Sequence, residues 1–192
     1  MKQGFVKVAS ATPRIRVADP VYNAQVICEQ AKEAAEHGAK IVVFPELCIT
    51  GYTCNDLFLQ ELLLEKAKEA LLTIAEETGQ LETLFLVGLP VDKDGRLYNV
   101  AAVLYRGRIL GMIPKKNIPM YAEFYEGRHF TPGEETVTEY RLGKQVIPFG
   151  SNLLFRCEEL PELILGCELC EDLWVAEPPS TSHALMRATV IA

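Results

Sequence analysis

The chain has 192 residues, 49% of them hydrophobic and 23% charged. That is enough for one domain with a substantial core, and too apolar for an intrinsically disordered chain. A formal net charge of −7 argues against a broad nucleic-acid surface, which needs a basic patch, but leaves room for a small anionic substrate held by one or two local cations.

In chain order, Phe5 to Ser10 reads as a short buried strand. Asp19-Pro20 then offers an N-cap and a first-turn proline. Val21, Ala24, Cys28, Ala31 and Ala35 recur at helical spacing, and Gly38 is placed to close that helix. Lys40 to Phe44 is β-branched and apolar and reads as a strand covered on both faces. A loop from Pro45 to Asp56 leads to a long helix predicted over Leu57 to Thr78 and stopped at Gly79. Thr83 to Leu89 is the next predicted strand, followed by a turn at Asp92 to Gly95. Tyr98 to Tyr105 and Arg108 to Ile113 form an antiparallel pair around Arg106-Gly107. Residues 114 to 135 read as a long loop with one helical turn, a length that in compact domains is often functional. Leu163 to Cys167 is a further strand, Thr181 to Arg187 a short helix, and Ala188 to Ala192 the opening of another strand. Helices alternating with strands, and hairpins between, predict an α/β domain with a mixed sheet covered by helices. The chain stops inside an apparent strand, which suggests a fragment.

No apolar run is long enough for a transmembrane helix. MKQGFVKVAS at the N-terminus lacks the pattern of a secretory signal. The expectation is a cytoplasmic protein with no membrane partner. Its six cysteines are then expected as free thiols rather than as a disulfide framework.

Three polar residues stand just beyond apolar strands: Glu46 after IVVFP, Lys115 after RILGMIP and Cys170 after LILGCEL. Sites are commonly built at strand ends beside loops. Each residue also has an ordinary reading, as a surface carboxylate, half of a solvated Lys115–Lys116 pair, and a buried structural thiol. Cys167 and Cys170 share a C-x-x-C spacing that suits a redox pair or half a zinc site. Cys157, His37, His129 and His183 do not supply a second half, so no metal is expected. A Cys–His hydrolase is compatible with the composition, but no histidine is marked by its context.

FPELCITGY (Phe44 to Tyr52), PKKNIPMYAEFYE (Pro114 to Glu126) and GCELCEDLW (Gly166 to Trp174) resemble the three signatures of the nitrilase superfamily of carbon–nitrogen hydrolases, in that family's order. With the N-terminal strand and helix, the resemblance covers essentially the whole chain. It implies a catalytic glutamate, lysine and cysteine at Glu46, Lys115 and Cys170. Lys115 rather than Lys116 matches, because the family's lysine lies three residues before the aliphatic residue of a step that is here Ile118-Pro119. The family's second glutamate is matched to Glu123, and Cys167 becomes an ordinary strand residue. The flanks GYTCNDLF and CEDLW look like the glutaminase domains of glutamine-dependent NAD synthetases. That likeness implies that Glu171 and Tyr121 hold a glutamine substrate.

The resemblance further implies a nitrilase-type αββα sandwich, C-terminally truncated, with residues 1–192 forming a partial domain that carries no cofactor. In the family two such domains often pack helix layer to helix layer, so a homo-oligomer is expected. The partner would be a synthetase domain, absent from this chain, that uses ATP and magnesium to adenylylate deamido-NAD and takes up the ammonia. A serine and an arginine that complete glutamine binding would also lie outside the chain. Three rivals remain at this point: a stand-alone amidase acting on another small carboxamide, a non-catalytic domain that keeps only the fold, and a thiol redox protein using Cys167 and Cys170.

Overall fold

The structure, a computed structural model, describes residues 4–192. The first strand, β1, covers Val8–Ser10, shorter than the stretch from Phe5 that its composition suggests. Helix α1 follows at Pro20–Glu36. Its first turn is capped as expected: the Asp19 carboxylate accepts a hydrogen bond from the Tyr22 N–H at 3.1 Å, supplying a partner to a donor that has none within the helix. Ala24, Ile27, Cys28 and Ala31 bury one face, and Gly38 leaves the helix with φ of 82°.

Strand β2 is Ile41–Val43. The second long helix, α2, is Glu61–Glu77 and begins later than Leu57. Residues Tyr52–Leu59 form a separate 3₁₀ segment, interrupted at Asn55 (φ 49°, ψ −131°) and followed by an extended Gln60. The leucine-rich pattern runs across that break, so periodicity alone could not place it.

Strands β3 (Leu84–Lys93), β4 (Arg96–Tyr105) and β5 (Arg108–Pro114) form an antiparallel meander. Both its turns, Asp94-Gly95 and Arg106-Gly107, carry two consecutive residues of positive φ, the geometry that matches strand twist in two-residue hairpins. A hairpin that sequence reading did not foresee, β6 (Thr138–Leu142) and β7 (Gln145–Phe149), turns at Gly143 and extends this sheet through β5. Tyr140, Leu142, Ile147 and Phe149 are its buried residues. Glu139 and Arg141 alternate with them in β6 and Pro148 interrupts β7, and both strands are only five residues long, which kept the strand signal weak. The sheet order is β1-β2-β3-β4-β5-β7-β6.

A smaller sheet, ordered β10-β9-β8, comprises β8 (Phe155–Arg156), β9 (Ile164–Gly166) and β10 (Val190–Ile191). Helix α3, Pro179–Leu185, lies against it.

Alternation along the central strands sorts the core into two layers. Phe85, Val87 and Leu89 of β3 pack with Ile27, Leu71 and Ile74 of the long helices. Leu86, Ala101, Val103 and Ile113 point the other way and pack against Leu165 of the small sheet and against Cys167 and Leu169 just beyond it. On the outer side of β9, Gly166 is pressed against His183 of α3, so closely that a Cβ there would lie 2.7 Å from the imidazole Nδ1. The layers therefore run helix, sheet, sheet, helix, an αββα sandwich. All six cysteines are free. Among the described residues no helix is long and apolar enough to cross a membrane.

Candidate active site

The site begins where β2 leaves the large sheet. Phe44 N–H still bonds Leu86 O at 2.9 Å, and Ile49 N–H bonds Gly88 O at 3.0 Å. Between these anchors the chain crosses directly over Gly88. A Cβ on Gly88 would sit 2.3 Å from Leu47 N and 2.8 Å from Pro45 O, so only glycine lets the backbone pass this close. The crossing turns Glu46 inward, with its side chain 17% exposed.

Lys115 arrives from the end of β5, its N–H bonded to Asn99 O at 2.8 Å. Its side chain is fully buried, and Nζ lies 2.7 Å from Glu46 Oε1. The same Nζ lies 2.7 and 2.9 Å from the two oxygens of Glu126. The solvated lysine is Lys116, whose ammonium pairs with Glu135 at the surface. Asn99, buried within β4, donates from Nδ2 to Glu46 Oε1 at 2.7 Å. Tyr52 donates its hydroxyl to Glu126 Oε1 at 2.8 Å.

Here the residue-by-residue match needs a correction. Glu123, matched to the second glutamate, is exposed and lines a polar recess with Tyr52, Asp56, Arg128 and His129. The glutamate that meets Lys115 is Glu126, at the start of a 3₁₀ turn (Glu126–Arg128) and only 5% exposed. Four glutamates fall within the long loop, and no periodicity distinguishes a buried one from its neighbours. Asn99 left a better signal, a single amide inside the apolar run of β4.

Two carboxylates and one ammonium have left bulk water here. Such a cluster is tolerated only when each charge is paired and hydrogen-bonded. Burial pushes the Glu46 carboxyl above its ordinary range; the Lys115 charge and hydrogen bond and the Asn99 amide pull it back only in part. Burial alone would lower Lys115, but Glu46 and Glu126 more than reverse this, and the ammonium holds its proton more firmly than usual.

Cys170 opens a 3₁₀ turn, Cys170–Leu173, just beyond β9. Its φ is +42°, a left-handed conformation that costs a non-glycine residue of order 1 kcal/mol and is found at functional sites. It shares a cavity with Glu46 between the two sheets, lined also by Gly88, Ala101, Cys167 and Leu169. Burial and the Glu46 charge raise the Cys170 thiol, while Lys115 opposes them. Cys167, by contrast, is buried in the core and pushed up to about 12 by desolvation. Cys170 is exposed, so the two thiols occupy different environments. No histidine lines this cavity. Among the described residues, no group of three or more His, Cys, Asp or Glu side chains is placed to hold a metal.

At the rim, Tyr121 donates its hydroxyl to Glu171 Oε2 at 2.7 Å. The two residues singled out for substrate contact are thus brought together across 50 positions of sequence. Glu46, Lys115, Cys170, Tyr121 and Glu171 all converge on this end of the sandwich, and Glu123 stands apart in the adjoining recess.

The carbon-nitrogen hydrolase family model matches residues 7–192. The chain belongs to the carbon–nitrogen hydrolase family. Among its relatives, the glutamine-dependent NAD(+) synthetase of Mycobacterium tuberculosis (strain H37Rv) is 40% identical over 191 residues, covering 100% of this chain and 28% of that protein. The synthetase of the same name from Thermotoga maritima is 32% identical over 185 residues, 96% of this chain and 28% of its own length. This carbon–nitrogen hydrolase chain thus spans about 28% of the length of the curated relatives it matches. Its backbone superposes on a glutamine-dependent NAD(+) synthetase from Cytophaga hutchinsonii with a TM-score of 0.85 at 28% identity, covering 97% of this chain and 30% of that one. An amidase from Nesterenkonia sp. shares the fold, with a TM-score of 0.68 at 22% identity over 97% of this chain and 63% of the amidase.

Proposed function

We propose that this carbon–nitrogen hydrolase is a glutamine amidohydrolase domain that supplies ammonia for ATP-dependent conversion of deamido-NAD to NAD. The observation that carries the reading is that Glu46, held in the buried cluster with Lys115 and Glu126, lines the same cavity as the accessible thiol of Cys170. Its relatives' shared name, glutamine-dependent NAD(+) synthetase, supports glutamine as the substrate and NAD as the product served.

In this mechanism the Cys170 sulfur attacks the side-chain amide carbon of glutamine as its thiol proton passes to Glu46. A raised thiol pKa keeps the resting sulfur protonated, so a neighbouring base is required. Glu46, raised by burial, suits that task, since a base works best with its pKa near the working pH. The oxyanion that forms faces the Lys115 ammonium. Lys115 Nζ contacts one oxygen of Glu46 and both of Glu126; in this reading one of its three N–H groups turns to the oxyanion, joined by the backbone N–H of Glu171. One donor of this kind is worth about 3–4 kcal/mol to the transition state. Glu46 then returns its proton to the nitrogen, the C–N bond breaks and ammonia leaves. Water, deprotonated by Glu46, hydrolyses the thioester, releasing glutamate and restoring the thiol.

Glu171, held by Tyr121, faces the substrate's α-ammonium in this reading. A carboxylate pairs well with a cation in a partly dry pocket. ATP and magnesium belong to the synthetase domain that accepts the ammonia, in a cytoplasmic homo-oligomer.

The test is glutamine hydrolysis by the intact protein, followed by labelling with a glutamine-directed electrophile and peptide mass spectrometry. Label on Cys170 that glutamine blocks, together with loss of hydrolysis in Cys170→Ala, is the expected result. Retained glutaminase activity in Cys170→Ala would overturn it.

A further inference from the structure

Asp172 is 2% exposed, yet it forms no ion pair with any described residue. Its carboxylate is instead saturated with N–H donors from two separate segments. Oδ2 accepts from Leu169 N at 3.1 Å and from Lys116 N at 3.4 Å. Oδ1 accepts from Asn117 N at 2.7 Å and from Asn117 Nδ2 at 2.9 Å. Leu169 immediately precedes Cys170, and Lys116 immediately follows Lys115. One carboxylate therefore ties the backbone on either side of a gap whose two edges carry the nucleophile and the ammonium.

We propose that Asp172 is a positioning residue that clasps the Lys115–Tyr121 loop to the Cys170 turn and so sets the distance between thiol and ammonium. The proposal rests on the roles given above to Cys170 and Lys115. Two physical arguments support it. First, Lys115 and Cys170 come from different sheets, so no strand pairing holds them in register; Asp172 ties the backbone of the two segments directly, while the Tyr121–Glu171 bond joins them only through side chains at the exposed rim. Second, Cys170 sits in a left-handed conformation, which persists only when its surroundings over-determine it. The bond from Leu169 N to Asp172 constrains the residue just before it. An ionised carboxylate is suited to this work because all four of its partners are donors. Asparagine at the same place would turn an NH₂ group toward backbone N–H groups.

The test compares Asp172→Asn and Asn117→Ala with wild type in the intact protein, with active sites titrated so that only folded enzyme is counted. Four quantities are read: kcat and KM for glutamine, kcat for propionamide, and the pH profile of Cys170 alkylation by iodoacetamide. In Asp172→Asn, kcat falls about 10²-fold for both amides, while KM for glutamine stays within about threefold. The alkylation profile moves to higher pH, because the Lys115 charge that lowers the thiol drifts away. Asn117→Ala, which keeps the backbone bond, shows the same changes at smaller size. If Asp172→Asn proves unfolded, the alkylation shift in Asn117→Ala decides alone. Unchanged kcat and alkylation profile in the folded variants, whatever their melting temperature, would reduce Asp172 to a structural residue. A wild type that hydrolyses propionamide but not glutamine would remove the glutaminase reading and leave the clasp to be judged by the other two readouts.

Discussion

Lys115 and Glu126 are joined twice, Nζ to Oε1 at 2.7 Å and to Oε2 at 2.9 Å, with exposures of 0% and 4% for the two side chains. Glu126 thereby neutralises most of the Lys115 charge on one side and leaves Glu46 to share the other. A carboxylate with a full claim on the ammonium would be too well stabilised to accept a proton; Glu46 stays raised because its burial outweighs its share of the Lys115 charge.

Glu126→Gln is expected to lower kcat for amide hydrolysis by about 10²-fold, comparable to removal of an element of electrostatic preorganisation. It should also cost about 3–5 kcal/mol of stability, because one partner of a buried ion pair is removed. Glu123→Gln should leave both close to wild type. Steady-state kinetics and denaturant melts of the two variants check this, and equal effects would refute the separation of the two glutamates.

The pH dependence has a defined sign. Glu46 must be ionised to act as a base, so kcat/KM should rise with pH through a pKa above the ordinary glutamate value. Its folded-state pKa is raised, so its contribution to stability is present at acid pH and is lost as pH rises through that pKa. Glu46→Gln removes a charge that raises the Cys170 thiol. In this variant iodoacetamide should alkylate Cys170 faster at neutral pH even as amide hydrolysis falls by at least about 10²-fold. Stopped-flow alkylation beside turnover assays would separate the two effects.

Gly88→Ala is expected to damage activity by displacing the backbone that carries Glu46. The added methyl would meet Leu47 N at 2.3 Å and the Glu46 carbonyl carbon at 2.9 Å. These are backbone atoms that cannot rotate aside. Overpacking of this kind costs about 1–3 kcal/mol, and the relief available is a shift of the segment bearing Glu46. Thermal melts and kcat together should show both losses; a variant with wild-type kcat would mean that the crossing does not place Glu46.

Tyr121→Phe should raise KM for glutamine by about three- to tenfold, the scale of one partly exposed hydrogen bond to a charged group, with kcat for propionamide unchanged. Glu171, without its hydroxyl partner, would hold the α-ammonium less well. Loss confined to kcat would move Tyr121 from substrate binding to the chemistry.

Much of this arrangement was legible in the residues alone. Asp19-Pro20, the IVV strand and the Arg106-Gly107 turn each carry a local signal strong enough to survive into the folded state. Glu46, Lys115 and Cys170 stood out because each interrupts an apolar run at its end. What escaped was what depends on the third dimension. Glu126 and Glu123 differ by three positions in one irregular loop, and only the fold decides which carboxylate turns inward. The β6–β7 hairpin is edge structure, two five-residue strands of which one carries Glu139 and Arg141 and the other a proline at Pro148. Asp172 reads as one more acid beside Glu171, and its role emerges only when residues 116–117 arrive from 55 positions away.

The two-sheet core has one more consequence. Glu46 and Lys115 leave the large sheet, Cys170 leaves the small one, and the space between is filled by Leu86, Ala101, Ile113, Leu165 and Leu169. Those hydrocarbon side chains act as a shim: their combined thickness spaces the two sheets, and Asp172 fixes the two reacting segments within that spacing. Ala101, which borders both this layer and the cavity, is the place where adding or removing a methyl group would retune an enzyme without altering any of its polar groups.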